Sequence, residues 1–155
     1  TALDVTVQAQ ILDLMDELID ETGTALMLIT HDLGVVSEMT DRIAVMYAGR
    51  IVETGQTEAV FRRMAHPYAR GLFAASPHGV ALARPSSGGR QRLKAIPGVV
   101  PDPLTRPAHC TFADRCAFVQ DDCRQTIPPL DMLGENNGIT HRAACFHPCE
   151  GEVMA

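Results

Sequence analysis

Five cysteines and one histidine are the residues of this chain whose type and spacing could do chemistry. Cys110, Cys116, Cys123 and Cys145 put four thiols into a short segment, with Cys149 close behind. Thiolates are soft ligands that select zinc, copper(I) or an iron–sulfur cluster. Structural zinc sites favour tight C-x2-4-C pairs, and no two of the first four cysteines stand that close. Spacings of five and six residues suit a bulkier centre. His109, His141 and His147 are alternative ligands that would favour zinc, and a chain that binds no metal here is a third reading. An odd number of cysteines with no visible secretory signal argues against a disulfide framework. Cys149 reads as a spare thiol that could compete with Cys145.

The histidine is His31, in Thr30-His31-Asp32, directly after the apolar run Ala25-Leu26-Met27-Leu28-Ile29. Such a run reads as a strand buried on both faces, and in α/β folds ligands bind at the carboxyl ends of strands. An imidazole there could donate to a phosphate or hold an attacking water. A lone histidine beside a strand is more often structural, so the neighbouring elements must decide.

Those elements are legible. Val5 to Thr22 carries Val7, Ile11, Leu14, Met15, Leu18 and Ile19 at helical spacing, with Asp4 as N-cap and Gly23 as terminator. Asp32 to Met39 predicts a short second helix that turns Val35, Val36 and Met39 inward. Arg42–Tyr47 and Arg50–Glu53 flank Ala48-Gly49 and predict a β-hairpin. Thr57 is expected to cap a helix through Arg63, and Pro67 to open another. From Pro77 to Lys94 the chain is rich in Gly, Ser, Pro and Arg and reads as a linker. Beyond it, Ile96 to Pro103 is too proline-rich for regular structure. The tail from Pro107 to Pro148 has few aliphatics, so the cysteines are expected to staple it. Arg115 and Arg124, each next to a cysteine, could offset thiolate charge, and Asp121-Asp122 reads as a turn.

The whole chain has 155 residues and a formal net charge of −6, with Lys94 its single lysine. That balance gives no argument for nucleic-acid binding, and no apolar stretch approaches the ~20 residues of a membrane helix. Thr1 is not a methionine and a helix begins almost at once, which predicts a piece of a longer protein.

Taken together, Thr1-Ala2-Leu3-Asp4, Thr30-His31-Asp32 and Met46-Tyr47-Ala48-Gly49-Arg50-Ile51 resemble the last part of an ABC-transporter ATPase domain. Ile96-Pro97-Gly98-Val99-Val100-Pro101, the cysteine series and His141-Arg142-Ala143-Ala144-Cys145 are similar to the C-terminal extension of oligopeptide/dipeptide-type importer ATPases. The resemblance implies an α/β fold: residues 1–76 as the C-terminal part of a P-loop NTPase core (D-loop, H-loop, hairpin and helices), 77–95 as linker, and 96–155 as a small, irregular, cysteine-rich extension. It implies that His31 is the switch histidine of ATP hydrolysis. Asp4 would belong to the D-loop that crosses a dimer interface to the partner's nucleotide. It also implies that Cys110, Cys116, Cys123 and Cys145 hold a [4Fe–4S] cluster, with Zn2+ as the alternative.

ATP and Mg2+ would be bound mostly by parts absent from this sequence, which has no G-x-x-x-x-G-K-[ST] loop, signature motif or Walker B pair. The chain alone is therefore expected not to hydrolyse ATP. The implied partners are a second ABC ATPase subunit, two transmembrane permeases and an extracytoplasmic peptide-binding protein, at the cytoplasmic face of the inner membrane. The implied role is to energise peptide import. Two other readings are a stand-alone iron–sulfur or zinc module for interaction or redox sensing, and an importer of another cargo such as nickel.

Overall fold

The computed structural model describes residues 4–76, 95–136 and 139–153. Thr1, Ala2 and Leu3 of the proposed D-loop and nearly all of the linker lie outside the described residues. The chain divides into two compact units, Thr1–Thr40 and Asp41–Ala155.

The first unit is built from local signals. Helix α1 spans Val5–Thr22. The Asp4 carboxylate accepts from the Thr6 amide at 2.8 Å, satisfying an amide that the helix itself leaves unpaired. At the other end Gly23 adopts φ 66° and donates its N–H to Ile19 O at 2.8 Å, the left-handed stop that glycine takes without a steric cost. Helix α2, Leu33–Met39, is launched by Asp32, whose Oδ1 accepts from the Gly34 and Val35 amides at 2.9 and 3.4 Å. The strand expected at Ala25–Ile29 is not formed: the segment is irregular, with Met27 87% and Ile29 92% exposed. A strand exists only when a neighbour completes its hydrogen-bond ladder, and residues 4–40 offer no such neighbour. Val35, Val36 and Met39 are half-buried, and no described residue of this unit is fully buried.

The second unit is held by pairings between distant residues. Strands β1 (Arg42–Tyr47) and β2 (Arg50–Gln56) form the expected hairpin, with β2 three residues longer than anticipated. Ala48 at φ 46° and Gly49 at φ 73° both take positive φ, the twist-matched two-residue turn. Helix α3 covers Thr57–Arg63, but its N-cap is Gln56, with no side-chain hydrogen bond. Thr57 is instead the first helical residue, buried, its amide donating to Asp41 O at 2.9 Å. Helix α4, Pro67–Ala74, opens on proline as expected, with His66 as its cap.

The irregular extension needs correction in one stretch. Strands β3 (Asp131–Asn136) and β4 (Ile139–Ala143) join the hairpin in one antiparallel sheet of order β1-β2-β4-β3. Neither segment alternates polar and apolar residues; pairing of β4 with β2 and of β3 with β4, not pattern, makes them strands. Glu53 faces Ala143, and Gly55 faces His141. A side chain at Gly55 would meet Thr140 O at 2.7 Å, so β4 approaches closely only because that residue is glycine.

Phe112 lies in the same core as Tyr47 and Val52. Its ring meets Tyr47 edge-on at 5.2 Å and Tyr68 at 5.5 Å, contacts favoured by aromatic quadrupoles. Arg115 pins the proline-rich segment by donating to Pro97 O, Ile96 O and Tyr47 Oη at 2.8, 3.1 and 3.3 Å. No described helix is long and apolar enough to cross a membrane.

Candidate metal centre

Two 3-10 turns, Ala113–Arg115 and Asp121–Arg124, and the segment following β4 position the cysteines. The first turn separates Cys110 from Cys116, and the second carries Cys123. The Cys110 amide donates to Cys123 O at 3.1 Å and ties the two loops together. Cys110, Cys116, Cys123 and Cys145 all line one recess, whose wall is otherwise largely aromatic and includes His66 and His147. Cys123 is buried and the other three are half-buried.

The backbone prepares these sulfurs for negative charge. The Phe118 amide donates to Cys116 Sγ at 3.4 Å. The Phe112 and His147 amides oppose the rise of the Cys110 and Cys145 thiols. Despite this help, burial pushes the Cys110 and Cys116 thiols up, and Cys145 up to about 12, with the neighbouring cysteines adding to each shift. Deprotonating thiols crowded together in a desolvated recess calls for a compensating cation, which a bound metal would supply. The donor set therefore fits a thiolate-ligated metal or cluster.

One pair at the rim gives a further donor set. His147 Nε2 lies 2.9 Å from both oxygens of Asp122. With Cys123 these residues offer three ligand atoms within 4.8 Å of one another. Of the three histidines weighed as ligands, His147 alone lines the recess. His141 is committed elsewhere, its Nε2 2.7 Å from Glu53 Oε1. Arg115 and Arg124 do not act as the expected charge partners: Arg115 holds the proline segment, and Arg124 pairs with Asp114 at 2.7 Å. Cys149 is buried outside the recess lining, with its amide on Ala65 O and the Arg70 and Glu53 charges as neighbours.

Residues that sequence reasoning missed stand beside this recess. Glu53 is 0% exposed. Its Oε1 accepts from the Ala65 amide at 2.7 Å as well as meeting His141, and its Oε2 accepts from the His66 amide at 2.8 Å. The carboxylate thus joins β2, the α3–α4 corner and β4. His66 is 2% exposed, and its Nδ1 accepts from the Tyr68 amide at 3.1 Å. Burial drives its pKa down to about 4 against a smaller opposing pull from Glu53. The one sequence signal for His66 was its place immediately before Pro67.

The two remaining predicted residues lie in the first unit. His31 is exposed, in the turn where Asp32 N donates to Thr30 Oγ1 at 3.0 Å. Asp4 is exposed, and the Thr6 amide holds its carboxyl below the usual range.

Comparison with known proteins bears on the whole chain. The family described as "Oligopeptide/dipeptide transporter, C-terminal region" matches residues 52–123. A Brucella ovis protein named for peptide import and ATP binding is 48% identical over 139 residues, which is 89% of this chain and 40% of that protein. A Sinorhizobium fredii protein named as a peptide ABC transporter ATP-binding protein is 46% identical over 150 residues, 97% of this chain and 42% of that protein. The chain thus spans about two fifths of the length of these curated relatives.

Proposed function

We propose that this chain, whose residues 52–123 match the family described as "Oligopeptide/dipeptide transporter, C-terminal region", carries the C-terminal part of an ABC importer's ATP-binding subunit, which energises peptide uptake. The observation that carries the reading is the identity of 48% over 139 residues with a protein named for peptide import and ATP binding. In this reading residues 1–76 complete the ATPase domain and residues 96–155 form the transporter-type extension, the two sharing the β1-β2-β4-β3 sheet. His31, exposed at the turn that starts α2, donates to the γ-phosphate or holds the attacking water. Asp4 caps α1 and reaches the partner ATPase across the dimer interface.

The other components follow from the same reading. ATP and Mg2+ are held mainly by residues beyond this sequence, and a second ABC ATPase closes on the nucleotide. Two permeases and an extracytoplasmic peptide-binding protein complete the importer at the cytoplasmic face of the inner membrane.

Cys110, Cys116, Cys123 and Cys145 hold a [4Fe–4S] cluster; the recess they share and the Phe118 amide on Cys116 Sγ support this. Such a cluster supplies a polymetallic staple and a redox-active centre. The three-atom set of Asp122, Cys123 and His147 supports the zinc alternative.

The test is an ATPase assay on the intact subunit assembled with its permeases. His31→Ala should cut turnover by on the order of 100-fold, the scale on which a transition-state donor acts. Unchanged turnover overturns the assignment. The 155-residue chain alone is expected to show no turnover, and activity that His31→Ala abolishes in it would overturn that expectation.

A further inference from the structure

Asp122 and His147 have no role in the four-cysteine set, yet both stand beside one of its sulfurs. Asp122 and Cys123 belong to the 3-10 turn Asp121–Arg124, held by the Cys123 amide on Gln120 O and the Gln125 amide on Asp122 O, each at 3.1 Å. His147 comes from the segment after β4 and sets its Nε2 2.9 Å from both carboxylate oxygens. A carboxylate oxygen, the Cys123 sulfur and a His147 ring nitrogen lie within 4.8 Å of one another. A half-exposed Asp–His pair by itself adds little to stability. The sulfur behind it turns the pair into a mixed S, N, O donor set, and that combination suits zinc.

The spacing is close to what a tetrahedral ion requires. Zinc bonds of about 2.0–2.3 Å set ligand atoms about 3.3–3.6 Å apart. The His147–Asp122 separation has to open by about half an ångström, and the sulfur side to close by roughly 1 Å. The rim side chains are free to make that shift, because Asp122 is 46% and His147 33% exposed whereas Cys123 is buried. Three protein ligands leave the fourth position to water.

We propose that Asp122, Cys123 and His147 form a mononuclear zinc site at the rim of the recess, separate from the four-cysteine set except for Cys123. This site rests on the reading of Cys123 as a metal ligand given above and deepens it. Binding releases the Cys123 thiol proton to solvent, and the His147 ring keeps its proton on Nδ1, so that Nε2 is free to ligate. Cys110, Cys116 and Cys145 take no part. Cys123 serves one centre at a time, so the recess has two exclusive occupancies: a cluster on four sulfurs, or zinc on one sulfur and the rim pair. Zinc at the rim therefore blocks cluster assembly.

The full 155-residue chain, reduced and metal-free, is titrated with Zn2+ against a chromophoric chelator, and the zinc-loaded wild type is measured by X-ray absorption. Expected is one tightly bound zinc whose nearest shell holds a single sulfur together with nitrogen and oxygen. Asp122→Asn and His147→Ala should each weaken binding by about tenfold or more, and Cys110→Ser should leave it unchanged. A shell of four sulfurs overturns the site, as does an affinity that His147→Ala leaves intact or Cys110→Ser removes. The X-ray shell is read on wild type, so the decision does not depend on the folding of any variant. A second arm supplies iron and sulfide anaerobically and measures the content of both. Zinc-loaded wild type should take up far less than the zinc-free chain, while His147→Ala exposed to the same zinc should take up as much. Undiminished uptake by zinc-loaded wild type overturns the exclusive occupancy. No uptake even without zinc overturns the cluster reading alone and leaves the zinc site standing.

Discussion

In the first unit every bond that fixes a helix end lies within one turn of chain: Asp4 to Thr6, Gly23 to Ile19, Asp32 to Gly34. In the second, the buried Glu53 reaches partners 12, 13 and 88 positions away. The first unit leaves Val7, Ile11, Leu14 and Leu18 of α1 in solvent, whereas the second buries Val60, Phe61, Met64 and Phe73 along with a carboxylate and two histidines. Local capping is enough to shape a helix but buries nothing. A core that contains a carboxylate stands only when every hydrogen-bonding group around it is matched.

The sharpest way to break that contrast is Glu53→Ala. It leaves the Ala65 and His66 amides and the His141 ring without their buried acceptor, and removing one partner from such a network costs about 3–5 kcal/mol. Urea denaturation of the full chain should show that loss, with the helical signal of α1 retained. A loss under about 1 kcal/mol would mean that the second unit is not organised around Glu53.

Acid probes the same region through His66. Its pKa falls from 6.5 to about 4 on folding, so between these values the unfolded chain binds the proton and the folded chain does not. The stability from keeping this ring neutral is complete above pH ~6.5 and is lost as pH falls towards 4, about 3 kcal/mol in all. Urea midpoints at pH 7 and pH 4.5 should differ in that direction, and His66→Asn should reduce the difference.

The smallest effect belongs to the first unit. Leu14→Ala on the exposed face of α1 should change the stability of this chain by no more than about 0.5 kcal/mol. A larger loss in thermal melts would show that α1 is packed in solution and would narrow the contrast between the units.

The same contrast governs what could be read from sequence. Asp4, Gly23, Ala48-Gly49 and Pro67 act on neighbours one to four positions away, so α1, the hairpin and α4 were legible. Ala25–Ile29 was read as a strand on apolar character alone, but a strand also needs a partner. Strands β3 and β4 are not legible for the complementary reason: their residues carry no alternation, and their order comes from β2 pairing with β4 and β4 with β3. The cysteine spacing brings the four thiols into one short segment, and the structure places them along one recess. Glu53, between Val52 and Thr54, looked like an ordinary polar position in a hairpin, because its burial is decided by residues far along the chain.

The 88 positions between Glu53 and His141 are also an interval of time. At about 5–20 residues per second of synthesis, His141 leaves the peptidyl-transferase centre roughly 4–18 s after Glu53. The amides of Ala65 and His66 follow within a few seconds, long before β4 exists. The nascent hairpin can therefore recruit its two backbone donors first and must keep the carboxylate hydrated until the imidazole arrives. Closure over Glu53 is the step that records that translation has passed β4.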